Sequence, residues 1–558
     1  MESEFASSAP AHAAIEVNPR ARFEILGAIL LALFLGALDQ TIVGPVLPTI
    51  TKDLNGIDLY TWVVTAYLVT STAAIPIYGK LSDLYGRKPM LVVGISVFLV
   101  GSVLSGLSQT MWQLIAFRAV QGLGAGALFP ISLAVIGDLF TPAERGKYQG
   151  LFGAVFGIAF LVGPAIGGFL TEHVGWHWIF FVNLPVGLVS LYLISRLLPT
   201  VRTAGARFTL DVPGVVLLTT AVVPALIALT LAETSSWVDP VVLAWFGIGL
   251  ISLVAFIVAE TRAEDPVIPL DLFRNRTFTV SAIATLFAIF GFSTLIIFLP
   301  LWFQVVQGDS PTASGYALFP FLFGLIFSSI LAGQIVSRTG RYKVMVAIAM
   351  AVLALGLYLF TNLRDDTATP ALWAWMAIAG LGVGPTMAIF TLIVQNAVPF
   401  QRLGTATSDL TLIRQIGTSL GLTVSFTLFR NNLTWTLIHD SVVGAGAPAG
   451  KVPPVAPPGF DVASLTAVGS TPADALKNIP HDQVGFYIAG FHEAFSVALA
   501  NSMWIGVGAA VLAFVTVLAL KEVPLRAHFH ADQAARAGLA HAPAGKTAPS
   551  QPPASATE

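Results

Sequence analysis

Two charged side chains stand alone inside long apolar runs: Asp39 in LFLGALDQTIVGPVLP and Arg118 in MWQLIAFRAVQGLG. A carboxylate near the centre of a bilayer costs on the order of 2.5–3.5 kcal/mol on insertion scales, so something must compensate for it. Burial favours the protonated acid and a nearby cation favours the carboxylate. An Asp that alternately meets water and a cation can therefore load and release a proton. Arg118 is the natural partner. Helix rise puts it roughly 10 Å below the start of its own apolar run, with Asp39 roughly 14 Å below Pro48, so the two share a depth. Arg118, Gln121, Gly122 and Ala125 also share one helical face, a polar stripe that a bundle interior can use. The alternative use of the same residues is a permanent ion pair that only fixes helix register.

A second constellation lies in the short segment Gly79-Lys80-Leu81-Ser82-Asp83-Leu84-Tyr85-Gly86-Arg87-Lys88. Gly79 and Gly86 permit close approach and a tight turn, and Asp83 and Arg87 can form charge-assisted bonds between helix ends. Asp138, at the end of the fourth apolar run, is a candidate third member. Lys88 and Arg87 also fit a simpler topological role. A third motif, Gly163-Pro164-Ala165-Ile166-Gly167-Gly168, joins a helix-kinking proline to small residues that let helices pack closely.

The rest of the chain must position these groups. Of 558 residues 55% are apolar and 10% charged, with a mean hydropathy of +0.80; a soluble domain carries roughly 25% charge. Apolar segments run near 24–50, 60–79, 89–109, 112–136, 149–171, 178–198, 212–232, 238–259, 278–303, 313–336, 343–362, 371–398, 410–438 and 488–520. Each can cross a hydrocarbon core of about 30 Å. The fold class this predicts is an all-α polytopic membrane protein with fourteen transmembrane helices.

An even count puts both termini on one side. Of the 28 Lys and Arg, only Lys52, Arg364, Arg430, Lys451 and Lys477 fall on the other side, and Arg118 and Arg414 lie within spans. The excess of basic loops makes the side of the termini cytoplasmic. Eight tryptophans, Trp62, Trp112, Trp176, Trp178, Trp237, Trp373, Trp375 and Trp435, fall near the expected outer interface, where an amphipathic indole is favoured. The N-terminus lacks the apolar core of a cleavable signal, so the first span should be retained.

The expected organisation is a cytoplasmic tail (1–22), a six-helix bundle (23–199), two inserted helices with linkers (200–275), a second six-helix bundle (276–526) and a disordered cytoplasmic tail (527–558). The second bundle includes an extracytoplasmic loop (439–487), a Gly/Pro-rich and partly ordered cap in which Thr471-Pro472-Ala473-Asp474 should start a short helix. The two bundles read as an internal repeat. Gly79, Gly86 and Arg87 recur as Gly333, Gly340 and Arg341 at a constant offset of 254, with Ser337 in place of Asp83, so the two loops should not be equivalent.

Other classes of chemistry find no support. There is no Cys, hence no disulfide framework, thiolate metal site or Cys nucleophile. No metal site, cofactor, nucleic-acid partner or enzyme activity is expected from the sequence. Ala540–Thr547 fits a relaxed phosphate-loop pattern but lacks the strand and helix that such a loop needs, so no nucleotide partner is expected either.

With these residues in hand, the sequence resembles the major facilitator superfamily, and its fourteen spans resemble the drug:proton antiporter-2 branch. GKLSDLYGRK is similar to the family's cytoplasmic loop signature. Leu38-Asp39-Gln40-Thr41-Ile42-Val43 with Pro48, Arg118 to Gly124, Gly163 to Gly168 and Trp176 to Pro185 are similar to its first-, fourth-, fifth- and sixth-helix motifs. The resemblance spans about 23–526. It implies a role for Arg118 in proton transfer, a latch at the cytoplasmic loop that holds the outward-open state, and exchange rather than uptake for the fifth-helix motif. The chain departs from the pattern at His177, where Arg is frequent, and in a second half poor in membrane carboxylates. Asp409, Arg414, His492 and Glu493 are its few candidates, with Arg414 grouped with Gly333, Gly340 and Arg341 as a second-half gate.

The reading is a proton-coupled secondary antiporter of the bacterial plasma (inner) membrane, multi-pass and monomeric, exporting lipophilic or amphipathic drugs and toxic compounds by alternating access. Its partners are the small substrate, protons and the lipid bilayer. The same fold would serve an exporter of an endogenous metabolite, siderophore or lipid, and a non-transporting scaffold or sensor is the remaining alternative. The aromatic ninth and tenth spans offer an apolar surface suited to lipophilic compounds, although many of their Phe side chains would simply face lipid.

Overall fold

The computed structural model describes residues 18–56, 59–200, 211–448, 450, 452–454 and 484–525. The first half is built from α1 (Pro19–Asp53), α2 (Tyr60–Tyr85), α3 (Arg87–Gly106), α4 (Met111–Leu139), α5 (Pro142–His173) and a sixth span broken into α6 (Trp178–Phe181) and α7 (Asn183–Leu197). The inserted pair is α8 (Val212–Thr234) and α9 (Pro240–Glu260). The second half comprises α10 (Arg276–Val305), a short α11 (Pro311–Ala317), α12 (Phe319–Thr339), α13 (Tyr342–Phe360), α14 (Thr369–Ala397), α15 (Leu403–Asn432), a surface helix α16 (Trp435–Gly444) and α17 (Val484–Leu518). The segment expected to start a helix at Thr471 and the tail 527–558 lie outside the described residues.

Helix is what this composition demands, because backbone groups in hydrocarbon must be satisfied within the segment. Among the described residues thirteen segments, with α6 and α7 counted as one, are long and apolar enough to span a membrane. α15 is not among them: its 30 residues include Asp409, Arg414 and Arg430, and it packs against α10, α2, α17 and α4. It begins at Leu403 rather than near 410, because the polar run Thr405 to Asp409 is helical and buried against the first half. It ends at Asn432, and the apolar residues beyond form α16 instead. The first helix likewise starts early, at Pro19, where the Asn18 side chain accepts a bond from the Arg20 N–H.

Both ends of the array lie on one face. Phe23 of α1 packs edge-on to Tyr148 of α5, the start of α5 meets the end of α12, and the Tyr342 hydroxyl of α13 donates to the Lys521 carbonyl just beyond α17. This is the face that carries the basic loops, called the basic face below.

The halves touch along two seams, α5 on α12 and α2 on α15. A Cβ on Gly333 would fall 2.2 Å from the Gly146 carbonyl, and one on Gly79 would fall 2.0 Å from Ser408 Oγ. The repeated glycines thus lie within helices and mark equivalent crossings between the halves. The inserted pair sits at the periphery, covering the α2–α15 seam. Leu218, Leu226 and Leu229 of α8 pack with Val69 and Ile75 of α2 and with Leu412 and Leu420 of α15. On the face opposite the basic one, Thr423 Oγ1 donates to Glu233 (3.1 Å) and Trp237 Nε1 to Thr427 (2.9 Å). Arg430 donates to the backbone carbonyls of Glu233 and Ser235, supplying the end of α8 with donors and a cation where orphan carbonyls need them. Glu233 is a membrane-helix carboxylate that the sequence reading passed over.

Candidate functional site: a buried carboxylate and a gate between the halves

Asp39 is 0% exposed and Arg118 2% exposed. Arg118 Nη1 donates to Asp39 Oδ2 at 2.7 Å, and the other carboxylate oxygen accepts from Gln121 Nε2 (2.7 Å) and Asn183 Nδ2 (2.9 Å). Both oxygens act as acceptors, the pattern of a carboxylate. The donors are themselves held. Arg118 Nη1 also donates to Gln121 Oε1, Asn183 Nδ2 also reaches Ser102 Oγ, and Ser102 donates to the Phe180 carbonyl. The guanidinium stacks 4.1 Å from the Tyr67 ring centroid, a cation–π contact that strengthens when water is excluded. Four helices and the break between α6 and α7 therefore converge on one charge. The Asp39–Arg118 pair was visible in the helix depths, but Tyr67, Ser102 and Asn183 were assigned no part in it. Their only signal was a polar side chain inside an apolar span.

The fifth-helix motif abuts the same helix. Thr41, two residues after Asp39, donates to the Ala159 carbonyl (2.9 Å), and Gly163 and Gly167 face Thr41 and Ile42 so closely that a Cβ on either would clash. Pro164 lies against Gly315 and Gly168 against Thr312. The motif fits α5 between α1 and the second half.

At the basic face, Gly86 turns the chain between α2 and α3 at φ 96°. Arg87 then reaches three partners: Asp138 Oδ2 (2.9 Å), Asp83 Oδ1 (2.5 Å) and Ser82 Oγ (2.7 Å). Asp83 crosses to the other half, where it accepts from the N–H groups of Gly404 (3.1 Å) and Thr405 (2.7 Å) and from the Thr405 hydroxyl (2.7 Å). An acid of α2 thus caps the N-terminus of α15, where orphan N–H groups and the helix dipole favour negative charge. Lys88 has no ion pair among the described residues.

The second-half counterpart differs. Gly340 turns the chain after α12 at φ 69°, but with Ser337 at the position of Asp83, Arg341 has no carboxylate partner among the described residues. Arg414 does not join this group. It lies about three turns into α15 and donates to the Met387 carbonyl and Thr391 Oγ1 of α14.

A further layer escaped the sequence reading. Gln395 of α14, 2% exposed, accepts from Gln149 Nε2 of α5 (2.8 Å) and donates to the Leu133 carbonyl of α4 and Thr407 Oγ1 of α15 (3.1 Å each). Asp409, two residues on from Thr407 and also 2% exposed, has neither oxygen hydrogen-bonded among the described residues. Replacing Gln395 by Leu removes two bonds between the halves, together about 1–3 kcal/mol. That is roughly a five- to hundredfold shift between open and closed forms. Because the chain has no Cys, Ala406→Cys at the buried start of α15 reports the change. It should label faster from the basic face in the Gln395→Leu background, and an unchanged rate would show that the amide layer does not hold the gate.

The described residues thus form a helical membrane array of two halves, with a buried ion pair inside the first and polar contacts joining the two at the basic face. The sequence profile of the Major Facilitator Superfamily matches residues 29–422, and the chain belongs to that family. It is 38% identical over 420 residues to the multidrug transporter protein MdtP of Bacillus subtilis, covering 75% of this chain and 77% of the relative. It is 36% identical over 431 residues to multidrug resistance protein 3 of the same organism, covering 77% and 83%. Among solved structures, the human organic anion transporter MFSD10 superposes with a TM-score of 0.58 at 15% identity, over 90% of this chain and 100% of that one.

Proposed function

We propose that this chain is a proton-coupled antiporter of the fourteen-span drug:proton antiporter-2 type, exporting lipophilic or amphipathic compounds across the bacterial plasma membrane with both termini in the cytoplasm. The observation that carries the reading is the sealed Asp39 carboxylate, held by Arg118, Gln121 and Asn183. A proton reaches Asp39 only when these donors move, and protonation removes the charge they hold. Proton binding and conformational change are thereby coupled, since a ligand shifts an equilibrium by its differential affinity for the two states. The names of the Bacillus relatives support multidrug substrates.

The gate supports alternating access. With the basic face as the cytoplasmic one, the contacts of Asp83 and Gln395 across the seams hold the cytoplasmic side shut. Next to the sealed Asp39, Gln40 is exposed in mid-helix, with Gly44 exposed one turn further on. An amide in hydrocarbon is unfavourable, so this stripe of α1 fits the wall of a substrate cavity between the bundles.

The deciding experiment is transport by the purified chain in proteoliposomes with an imposed pH gradient, offered lipophilic cations, neutral drugs and lipids. The expected result is substrate movement against its gradient, coupled to proton flow in the opposite direction and abolished by a protonophore. Substrate flux that ignores the pH gradient for every compound would rule out the antiport reading.

A further inference from the structure

A cleft of about 530 Å³ opens on the basic face, away from the Asp39 cluster. Its walls are Ala143 at the start of α5, Arg338 and Thr339 at the end of α12 with Arg341 just beyond it, and Pro524 and Leu525 of the segment beyond α17. That segment is laced across the second half. Arg276 donates to the Ala519 carbonyl (3.1 Å), Lys343 Nζ to the Leu518 carbonyl (2.8 Å) and Asn396 to the Pro524 carbonyl (3.4 Å). Glu522, the one acid in the cleft wall, accepts from the Lys343 N–H (3.3 Å). Neither the Arg338 nor the Arg341 guanidinium has an ion pair or hydrogen bond among the described residues, although the Thr339 hydroxyl beside them is engaged with Ile335 and with the Arg341 N–H.

The cleft continues into an apolar ridge. Phe319, Phe323, Phe327, Leu331 and Ile335 follow one another at intervals of four along α12, each between 38% and 59% exposed, and the next step is Thr339 in the cleft. The first three rings stack in sequence, with centroids 6.4 and 6.2 Å apart. Such an inclined i, i+4 ridge is a continuous surface on a helix. Here it leads from the hydrocarbon region to two unpaired cations at the membrane surface.

We propose that this ridge and cleft form a site for an anionic glycerophospholipid of the adjoining leaflet, with an acyl chain along the Phe319–Ile335 ridge and the phosphate between Arg338 and Arg341. Basic pockets between helices at the cytoplasmic surface select acidic headgroups. A solvated anion would use the arginines alone, whereas a lipid uses the arginines and the ridge together. The cleft draws Ala143 from the first half and its other walls from the second, so it is complete only while α5 and α12 meet at the basic face. Occupancy therefore favours the form closed on that face. This last consequence rests on the alternating-access reading; the binding does not.

The test is native mass spectrometry of the full chain extracted from membranes containing equal phosphatidylglycerol and phosphatidylcholine. The wild type should retain phosphatidylglycerol selectively. Arg338→Gln and Arg341→Gln should each weaken retention about fivefold, the factor that corresponds to about 1 kcal/mol per basic side chain near an anionic surface. Thr339→Trp, which fills the cleft and leaves both charges, should also reduce it, and inorganic phosphate should not displace the lipid. Equal retention by the double arginine variant, or displacement by phosphate alone, would overturn the proposal. Binding is read without transport, so failure of the antiport reading would leave this result distinct.

Discussion

Asp39→Asn should leave a folded protein that no longer converts a pH gradient into a substrate gradient. The amide is nearly the size of the carboxylate, and its oxygen can still face Arg118. Its NH2 takes the place of the oxygen that accepts from Gln121 and Asn183; rotation of Asn183, whose Oδ1 is buried with no hydrogen-bond partner among the described residues, supplies one acceptor, and the Gln121 NH2 loses its bond at a cost of about 1 kcal/mol. What the variant cannot do is gain and lose a proton. One pH unit is worth about 1.4 kcal/mol per proton, so the wild type in proteoliposomes should hold a roughly tenfold substrate ratio per unit and per proton exchanged. The variant should fall to a ratio of one while still binding substrate and equilibrating it across the membrane. Retained uphill transport by Asp39→Asn would place the coupling proton elsewhere, and Asp409 and Glu233 would then be the carboxylates to replace next.

Arg118→Leu should have the largest effect on stability. The cation is buried with its counterion and stacked on Tyr67, and removal of one member of a buried pair leaves an uncompensated charge, at a cost of about 3–5 kcal/mol. Gln121 would also lose the donor to its Oε1. The diagnostic measurement is a double-mutant cycle on the full chain by thermal unfolding in nanodiscs. The combined Asp39→Asn/Arg118→Leu variant should recover much of the loss, because it buries no charge. If the single and double variants melt together, the pair is not the source of the stabilisation. Transport should be lost in both, which separates stability from coupling.

The two predictions differ in how far they could be read before the structure was known. That Asp39 and Arg118 share a depth follows from helix rise and from the position of each in its apolar run. Gln121 shares a helical face with Arg118 and could be read with it, but Asn183 lies 144 residues from Asp39 and nothing local pairs the two. The crossings between the halves show the same division. Gly79 and Gly333 repeat at a fixed offset, but their partners, Ser408 and Gly146, are set by which helices cross. Hydropathy also misled at the start of α15. Thr405, Thr407, Ser408 and Asp409 resemble a loop, yet they are buried and helical, because α2 and α14 of the seam supply polar partners to Thr405 and Thr407.

The sequence by itself determined the helical membrane class, the family motifs and the isolated charges within the membrane. These follow from hydropathy and from motif residues close together in the chain, and lipid enforces helix on any apolar segment of this length. Only the tertiary structure decided that Asp39 is held by three partners, that Asp83 caps a helix of the opposite half, that Gln395 joins the two halves, and that the inserted pair lies over a seam. Those are contacts between residues distant in the chain, fixed by packing and by the need of each buried polar group for a partner.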